Sequence, residues 1–169
     1  QGVATGLASG DVSPGPGPRS IELPGLGPGH ALAPLICYEV IYPGLVRRAA
    51  RDGARVLVNI TNDAWYGATS APHQFLAIAT ARSAEHGLPM VRAANSGVSA
   101  LIDPLGQVIS ETPIFERRAL RGVVGTGRSV ATIYTRLGDW AVWLSWVILI
   151  GLGGRYVVAR RSKDPGVQG

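Results

Sequence analysis

The sequence predicts a layered α/β domain followed by one long apolar helix. Along residues 31–124, short apolar runs of strand length alternate with two segments of helical character, without an internal repeat. Of the 169 residues, 46% are hydrophobic and 16% are charged, a balance that allows one domain with a substantial core. From Trp140 to Gly154 the chain carries no charge, which sets this apolar segment apart from the domain before it.

The first part of the domain is predicted to be a strand, a helix and a second strand. Ala31–Ile36 and Val56–Ile60 are apolar runs with the length of buried strands. Between them, Val40–Asp52 is predicted to be helical, because Pro43 suits a first turn and Gly53 ends the segment. This order of elements favours a right-handed parallel crossover.

The second part is predicted to contain one more helix and several short strands. After a loop at Thr61–Pro72, the alanine-rich segment His73–His86 is predicted to be helical and to end at Gly87. The strands predicted after it are Met90–Ala94, Val98–Ile102, Val108–Ser110 and Ala119–Val124, with a turn at residues 103–106.

The chain divides into four regions by composition. Residues 1–30 are rich in glycine and proline and are predicted to be an irregular segment of the domain, with a short strand at Ser20–Leu23. The α/β domain occupies residues 31–138, a membrane-spanning helix residues 139–159, and a basic cytoplasmic tail residues 160–169. If Arg155 snorkels to the headgroups, the apolar span is about 30 Å long. Because basic residues follow the span, the domain is expected on the outer side. A buried core helix is the alternative, since glycines interrupt the run.

Composition also excludes several classes of protein. The net charge of +5 is small for a nucleic-acid-binding protein, and the arginines are scattered along the chain. The one cysteine cannot form an internal disulfide, and no cluster of residues has the spacing of metal ligands. The chain opens at Gln1 without a methionine or a secretory segment, so we expect that a natural beginning is missing.

Cys37 is the principal candidate for chemistry. It follows the predicted strand Ala31–Ile36 directly and precedes a predicted helix, a position that exposes a side chain at the edge of a sheet. A helix N-terminus there would favour a thiolate and would offer backbone N–H groups to an oxyanion. A small buried hydrophobic residue is the alternative interpretation of a single cysteine in this position.

Four blocks of sequence resemble the nitrilase superfamily in their order and spacing. They are Cys37-Tyr38-Glu39, Asn62-Asp63-Ala64-Trp65-Tyr66-Gly67, Arg82-Ser83-Ala84-Glu85 and Arg92-Ala93-Ala94-Asn95-Ser96-Gly97. Within that superfamily, the Cys-Tyr-Glu form, the Asn-Asp-Ala-Trp-Tyr-Gly loop and a terminal membrane span together resemble the apolipoprotein N-acyltransferases. The resemblance implies a nitrilase-like four-layer αββα sandwich, of which this chain holds the C-terminal part.

The resemblance also implies a reaction and its partners. A cysteine thiolate takes an acyl chain from a membrane phospholipid and passes it to the N-terminal amine of a diacylglyceryl-cysteine lipoprotein. The thioester intermediate divides one difficult transfer into two easier ones. The family works in the bacterial inner membrane with its catalytic domain facing the periplasm, and no cofactor is implied.

The resemblance implies a role for several individual residues. Cys37 is the nucleophile, Tyr38 follows it where a backbone N–H can complete an oxyanion hole, and Glu39 either orients neighbours, caps helix amides or pairs with an arginine. The candidates for substrate binding are Asn62, Trp65, Tyr66, His73, Arg92 and Asn95. Loop packing is the alternative for the two aromatic residues, and a helix-terminal contact is the alternative for His73. Arg82 and Glu85 are expected to form a structural ion pair.

The catalytic set that the resemblance implies is incomplete in this chain. The family uses a glutamate as general base and a lysine at the oxyanion, but the one lysine here is Lys163, and Glu22 has the wrong sequence context. We therefore expect that both partners precede Gln1 and that the fragment alone is inactive. Two alternatives are a nitrilase-type amidase acting on a small carbon–nitrogen substrate and a non-catalytic, membrane-tethered relic.

Overall fold

A computed structural model describes residues 17, 19–25, 29–126 and 130–163, without the side chains of 157–159 and 161–163. Within this part of the chain, six strands form one sheet and four α-helices are present. The strands are β1 (Ile21–Glu22), β2 (Ala31–Ile36), β3 (Val56–Asn62), β4 (Met90–Asn95), β5 (Ala100–Ile102) and β6 (Val108–Glu111). The helices are α1 (Pro43–Arg51), α2 (Ala71–His86), α3 (Ile133–Leu137) and α4 (Trp140–Lys163).

Three neighbouring strands of the sheet run parallel. The strands lie side by side in chain order, with β2, β3 and β4 parallel and the outer pairs antiparallel. α1 connects β2 to β3, and α2 connects β3 to β4; the parallel pairing predicted for β2 and β3 is confirmed. Because parallel strands end at the same edge of a sheet, the residues after β2, β3 and β4 are brought together there.

One face of the sheet forms the core with α1 and α2. Leu35, Leu57, Met90 and Ile102 are fully buried on this face, and Val46 of α1 is buried with them. The alternating burial along β2 follows from the two-residue period of a strand, which points successive side chains to opposite faces. Burial of these side chains supplies the apolar contact that stabilises the domain.

On the opposite face of the sheet, the carboxyl ends of β2 and β3 are open within the described residues. Ile36 and Ile60 are each more than half exposed on it. The described elements thus form one sheet layer and one helix layer of a mixed α/β fold, while the four-layer sandwich remains a prediction.

The first helix begins later than the predicted start at Val40. Residues Cys37–Ile41 form a 3-10 turn, and α1 begins only at Pro43. Tyr42 is extended between them, with φ −87° and ψ 101°, because a residue before proline avoids the α conformation. A full α-helix therefore does not begin directly behind Cys37.

Other boundaries also differ from the prediction. No strand forms at residues 119–124, so this predicted strand was wrong; Gly122 instead approaches the Leu101 side chain, and Val123 is 92% exposed. β3 continues to Asn62, and α2 begins at Ala71, two residues before the predicted start. The short strand predicted at Ser20–Leu23 is confirmed as β1.

Arg47 and His86 of the domain both contact α3. Arg47 of α1 donates from Nε to the Thr135 carbonyl at 3.0 Å and from Nη2 to the Arg136 carbonyl at 2.7 Å. His86, at the end of α2, shares a hydrogen bond of 2.8 Å between Nδ1 and Thr135 Oγ1. Burial lowers the pKa of His86 to about 4, with the nearby Arg82 and Arg47 adding to the effect. His86 is therefore neutral near pH 7.

A long helix, α4, forms in the region where an apolar helix was predicted. It continues to Lys163, whereas the predicted helix ends at residue 159. Every described side chain from Trp140 to Tyr156 is exposed. Among the described residues, however, no helix combines the length and the apolar content needed to cross a membrane. The membrane-spanning role of residues 139–159 thus stays a prediction, as does the cytoplasmic tail, of which residues 164–169 lie outside the described part of the chain.

Candidate active site

Cys37 lies at a sharp bend at the end of β2. Its φ is 50°, a left-handed conformation that costs a non-glycine residue about 1–3 kcal/mol and is concentrated at functional sites. The side chain is partly exposed. The Glu39 carboxylate accepts a hydrogen bond of 2.6 Å from the Ile36 backbone N–H, which closes the turn around Cys37. This contact matches the capping alternative for Glu39.

A buried polar network lies beneath this bend. Asn59, in the middle of β3, donates from Nδ2 to the Leu35 carbonyl at 2.9 Å and to the Cys37 carbonyl at 3.4 Å. Arg92 of β4 donates to Asn59 Oδ1 and, at 2.8 Å, to Asp63 Oδ2. Burial lowers the pKa of Arg92, and the Asp63 carboxylate acts in the opposite direction.

Two tyrosines and a phenylalanine pack beside Cys37. The Tyr38 and Tyr66 hydroxyls are 2.5 Å apart, and Phe75 of α2 packs edge-on against Tyr38 with ring centroids 5.1 Å apart. The hydrogen bond shared with Tyr38, together with burial, raises the pKa of Tyr66 to about 12. The Tyr66 hydroxyl is therefore neutral at physiological pH, and the cluster presents a largely apolar wall with a polar tip.

The loop after β3 brings two asparagines together. Asn62 Oδ1 accepts from Asn95 Nδ2 at 3.3 Å and from the Ala64 backbone N–H at 3.2 Å. On the same loop, Trp65 is 81% exposed, and its indole N–H donates to the Asn62 carbonyl at 2.7 Å. The loop therefore displays a large aromatic surface to solvent near the edge that carries Cys37.

The remaining candidates lie in different surroundings. His73 is exposed in the first turn of α2 and, within the described residues, has no hydrogen bond to another candidate. Arg82 and Glu85 form the expected ion pair at 2.8 Å. Glu22 pairs with Ala31 at the start of β2, whereas Cys37 follows the end of that strand. Glu22 is thus remote from the nucleophile.

Three residues of this site were not predicted to belong to it. Asn59 and Asp63 are nearly inaccessible, and Phe75 contacts Tyr38, Tyr66 and the guanidinium of Arg92. Asn59 did carry a signal, because a polar side chain in the middle of an apolar strand needs a partner when buried. The places of Asp63 and Phe75 depend on the approach of other elements.

The family to which the chain belongs follows from comparison with known proteins. Residues 10–125 match the carbon-nitrogen hydrolase family, and the chain belongs to that family. The solved carbon-nitrogen hydrolase from Helicobacter pylori G27 has a TM-score of 0.50 at 18% identity, covering 60% of this chain and 41% of that chain, which supports a shared fold.

Within the family, the chain is similar to apolipoprotein N-acyltransferases. The one from Rickettsia prowazekii (strain Madrid E) is 41% identical over 119 residues, which make up 70% of this chain and 24% of the relative. The one from Rhodopseudomonas palustris (strain ATCC BAA-98 / CGA009) is 38% identical over 151 residues, 88% of this chain and 26% of the relative. The chain thus spans about a quarter of the length of these curated relatives.

Proposed function

We propose that this chain carries the nucleophile of a phospholipid:apolipoprotein N-acyltransferase. The observation that carries the proposal is Cys37, held in a left-handed bend at the end of a parallel strand in a chain similar to enzymes of that name. A strained, partly exposed thiol at a sheet edge is suited to nucleophilic attack on an acyl carbonyl.

In the proposed reaction, Cys37 acts twice on the same acyl group. The Cys37 thiol loses its proton and its sulfur attacks the ester carbonyl of a phospholipid; a C–S bond forms, the ester C–O bond breaks, and the departing lysophospholipid oxygen takes up that proton. The N-terminal amine of a diacylglyceryl-cysteine lipoprotein then attacks the thioester; the C–S bond breaks, the amine loses a proton, and the thiol is regenerated. No cofactor takes part in either step.

The residues around Cys37 are assigned supporting roles in this proposal. Glu39 fixes the turn through its contact with the Ile36 N–H, and the Tyr38 backbone N–H is positioned next in the chain to serve an oxyanion. Trp65, Tyr66 and the paired asparagines Asn62 and Asn95 are proposed to contact the lipid substrate, because they lie on the exposed side of the same edge.

α4 is proposed to hold the domain at the bacterial inner membrane, with the domain on the periplasmic side. Its described side chains from Trp140 to Tyr156 are exposed and mostly apolar, and an apolar surface of this extent favours contact with lipid or with another protein. Carbonate extraction and protease accessibility in spheroplasts test this assignment. Release of the gene product by carbonate would contradict it.

The reaction can be tested by acyl labelling of the full gene product that carries these residues. The protein is incubated with phosphatidylethanolamine–phosphatidylglycerol vesicles that contain a radiolabelled acyl chain. We expect hydroxylamine-labile label on the Cys37 peptide, absent from Cys37→Ala, and its transfer to a synthetic diacylglyceryl-cysteine peptide. Transfer that persists in Cys37→Ala would refute the proposal. Release of ammonia from short amides without a lipid thioester would identify an amidase instead.

A further inference from the structure

We infer that Asn59 and Arg92 are positioning residues that hold the Cys37 bend from the neighbouring strands β3 and β4. This inference deepens the proposed function, on which its catalytic measurement rests, while its chemical measurement is independent of that function. Asn59 contacts the backbone on either side of Ile36 rather than the reacting sulfur, and Arg92 acts through Asn59.

The bend needs a restraint because its backbone conformation is unfavourable. A cysteine with a left-handed backbone conformation persists only where the surrounding structure holds it in place. Asn59 provides two such contacts, since its Nδ2 donates to the carbonyls of Leu35 and Cys37. β2 and β3 pair with Leu35 opposite Asn59, so the side chain reaches the bend directly from the neighbouring strand.

Arg92 determines which way the Asn59 amide faces. Asn59 pairs with Arg92 across β3 and β4, and the guanidinium donates to Asn59 Oδ1. With its oxygen engaged in this way, the amide turns its N–H groups towards the two carbonyls of the bend. A flipped Asn59 amide would place its oxygen against the two carbonyl oxygens of the bend and its NH2 group against the Arg92 guanidinium.

All three side-chain nitrogens of Arg92 donate hydrogen bonds. Besides the Nη1 contact with Asn59, Nε donates to the Val98 carbonyl at 3.2 Å and Nη2 pairs with Asp63. The guanidinium carbon lies 5.7 Å from the centre of the Phe75 ring. Arg92 and Asp63 are each 2% exposed. This arrangement disfavours direct binding of substrate by Arg92.

Stability alone does not account for such a network. Well-packed apolar residues of similar volume often stabilise a core as well as a buried ion pair does. The network does, however, give the bend a defined orientation that apolar packing would not provide, because hydrogen bonds are directional. This favours a role in positioning the nucleophile.

The discriminating variant is Asn59→Asp. Aspartate keeps the size of the side chain and still accepts from Arg92, but it presents an acceptor instead of a donor to the two carbonyls. We expect kcat for acyl transfer to fall about 10- to 100-fold with KM changed less than about twofold, and alkylation of Cys37 by iodoacetamide to slow by a similar factor. Mass spectrometry of the Cys37 peptide identifies the alkylated residue.

The matched control is Gln74→Glu, which makes the same amide-to-carboxylate change at an exposed position on α2. It is expected to leave both rates unchanged. If Asn59→Asp does not fold, Asn59→Ser is used, because a serine hydroxyl is too short to span the same distance, and the same loss is expected.

The outcomes separate this inference from the proposed function. Wild-type kcat and alkylation rates in a folded Asn59→Asp protein would overturn the inference, as would a raised KM with unchanged kcat. If the wild-type gene product transfers no acyl chain but Asn59→Asp still slows alkylation, the proposed function fails and the positioning role stands.

Discussion

Gly97 offers a severe test of the buried network, because a single methyl group there meets a charged side chain. A Cβ at this position would lie 2.7 Å from Cβ and from Cγ of Asp63, and closer still to its Oδ2. Asp63 cannot move cheaply, since it is 2% exposed, accepts from Thr61 Oγ1 at 2.9 Å and pairs with Arg92 at 2.8 Å. Gly97→Ala must therefore displace either the ion pair or the turn.

The magnitude follows from what each displacement costs. Overpacking costs about 1–3 kcal/mol, and loss of one partner from a buried ion pair costs about 3–5 kcal/mol. We expect Gly97→Ala to lower the free energy of unfolding by about 2–4 kcal/mol, between these limits. The assay is urea denaturation of the full gene product, followed by far-ultraviolet circular dichroism.

Gly44 provides the matched control within the same chain. It lies in α1, where an added methyl group would have no atom within 4 Å, and neither glycine has a φ in the left-handed region. Gly44→Ala is expected to be neutral or to stabilise by about 0.5–1 kcal/mol, as alanine does in a helix. Equal stability of the two variants would refute the close packing of Gly97 against Asp63.

Two further predictions concern the attachment of α3. Burial holds the pKa of His86 at about 4, below the unfolded value of 6.5, so protonation of His86 favours unfolding. The contribution of His86 to the free energy of unfolding should be full above about pH 6.5 and should fall as the pH drops towards 4. His86→Gln should flatten this dependence on pH. An identical pH profile for His86→Gln would contradict this cause. Arg47→Leu removes the donors to the Thr135 and Arg136 carbonyls and should speed amide hydrogen exchange in α3, whereas Arg48→Leu, exposed on the same helix, should not. Equal exchange rates in the two arginine variants would show that Arg47 does not hold α3.

Local patterns were most reliable for the buried strands. Ala31–Ile36 was predicted to the residue, because a strand buried in a parallel sheet carries a continuous apolar run of this length. The prediction failed at residues 119–124, where a segment of the same length, interrupted by Arg121 and Gly122, has no neighbouring strand to pair with among the described residues. Strand formation depends on a partner that local sequence does not specify.

The site shows the same division between local and tertiary information. The sequence alone indicated the family-like blocks and placed Cys37 directly after a buried strand, since both are properties of neighbouring residues. It did not indicate that Asn59, Asp63 and Arg92 meet beneath that cysteine. Arg92 is 33 residues from Asn59 and 29 from Asp63 along the chain. The register of three parallel strands brings them into contact, and register is decided by packing across the whole sheet.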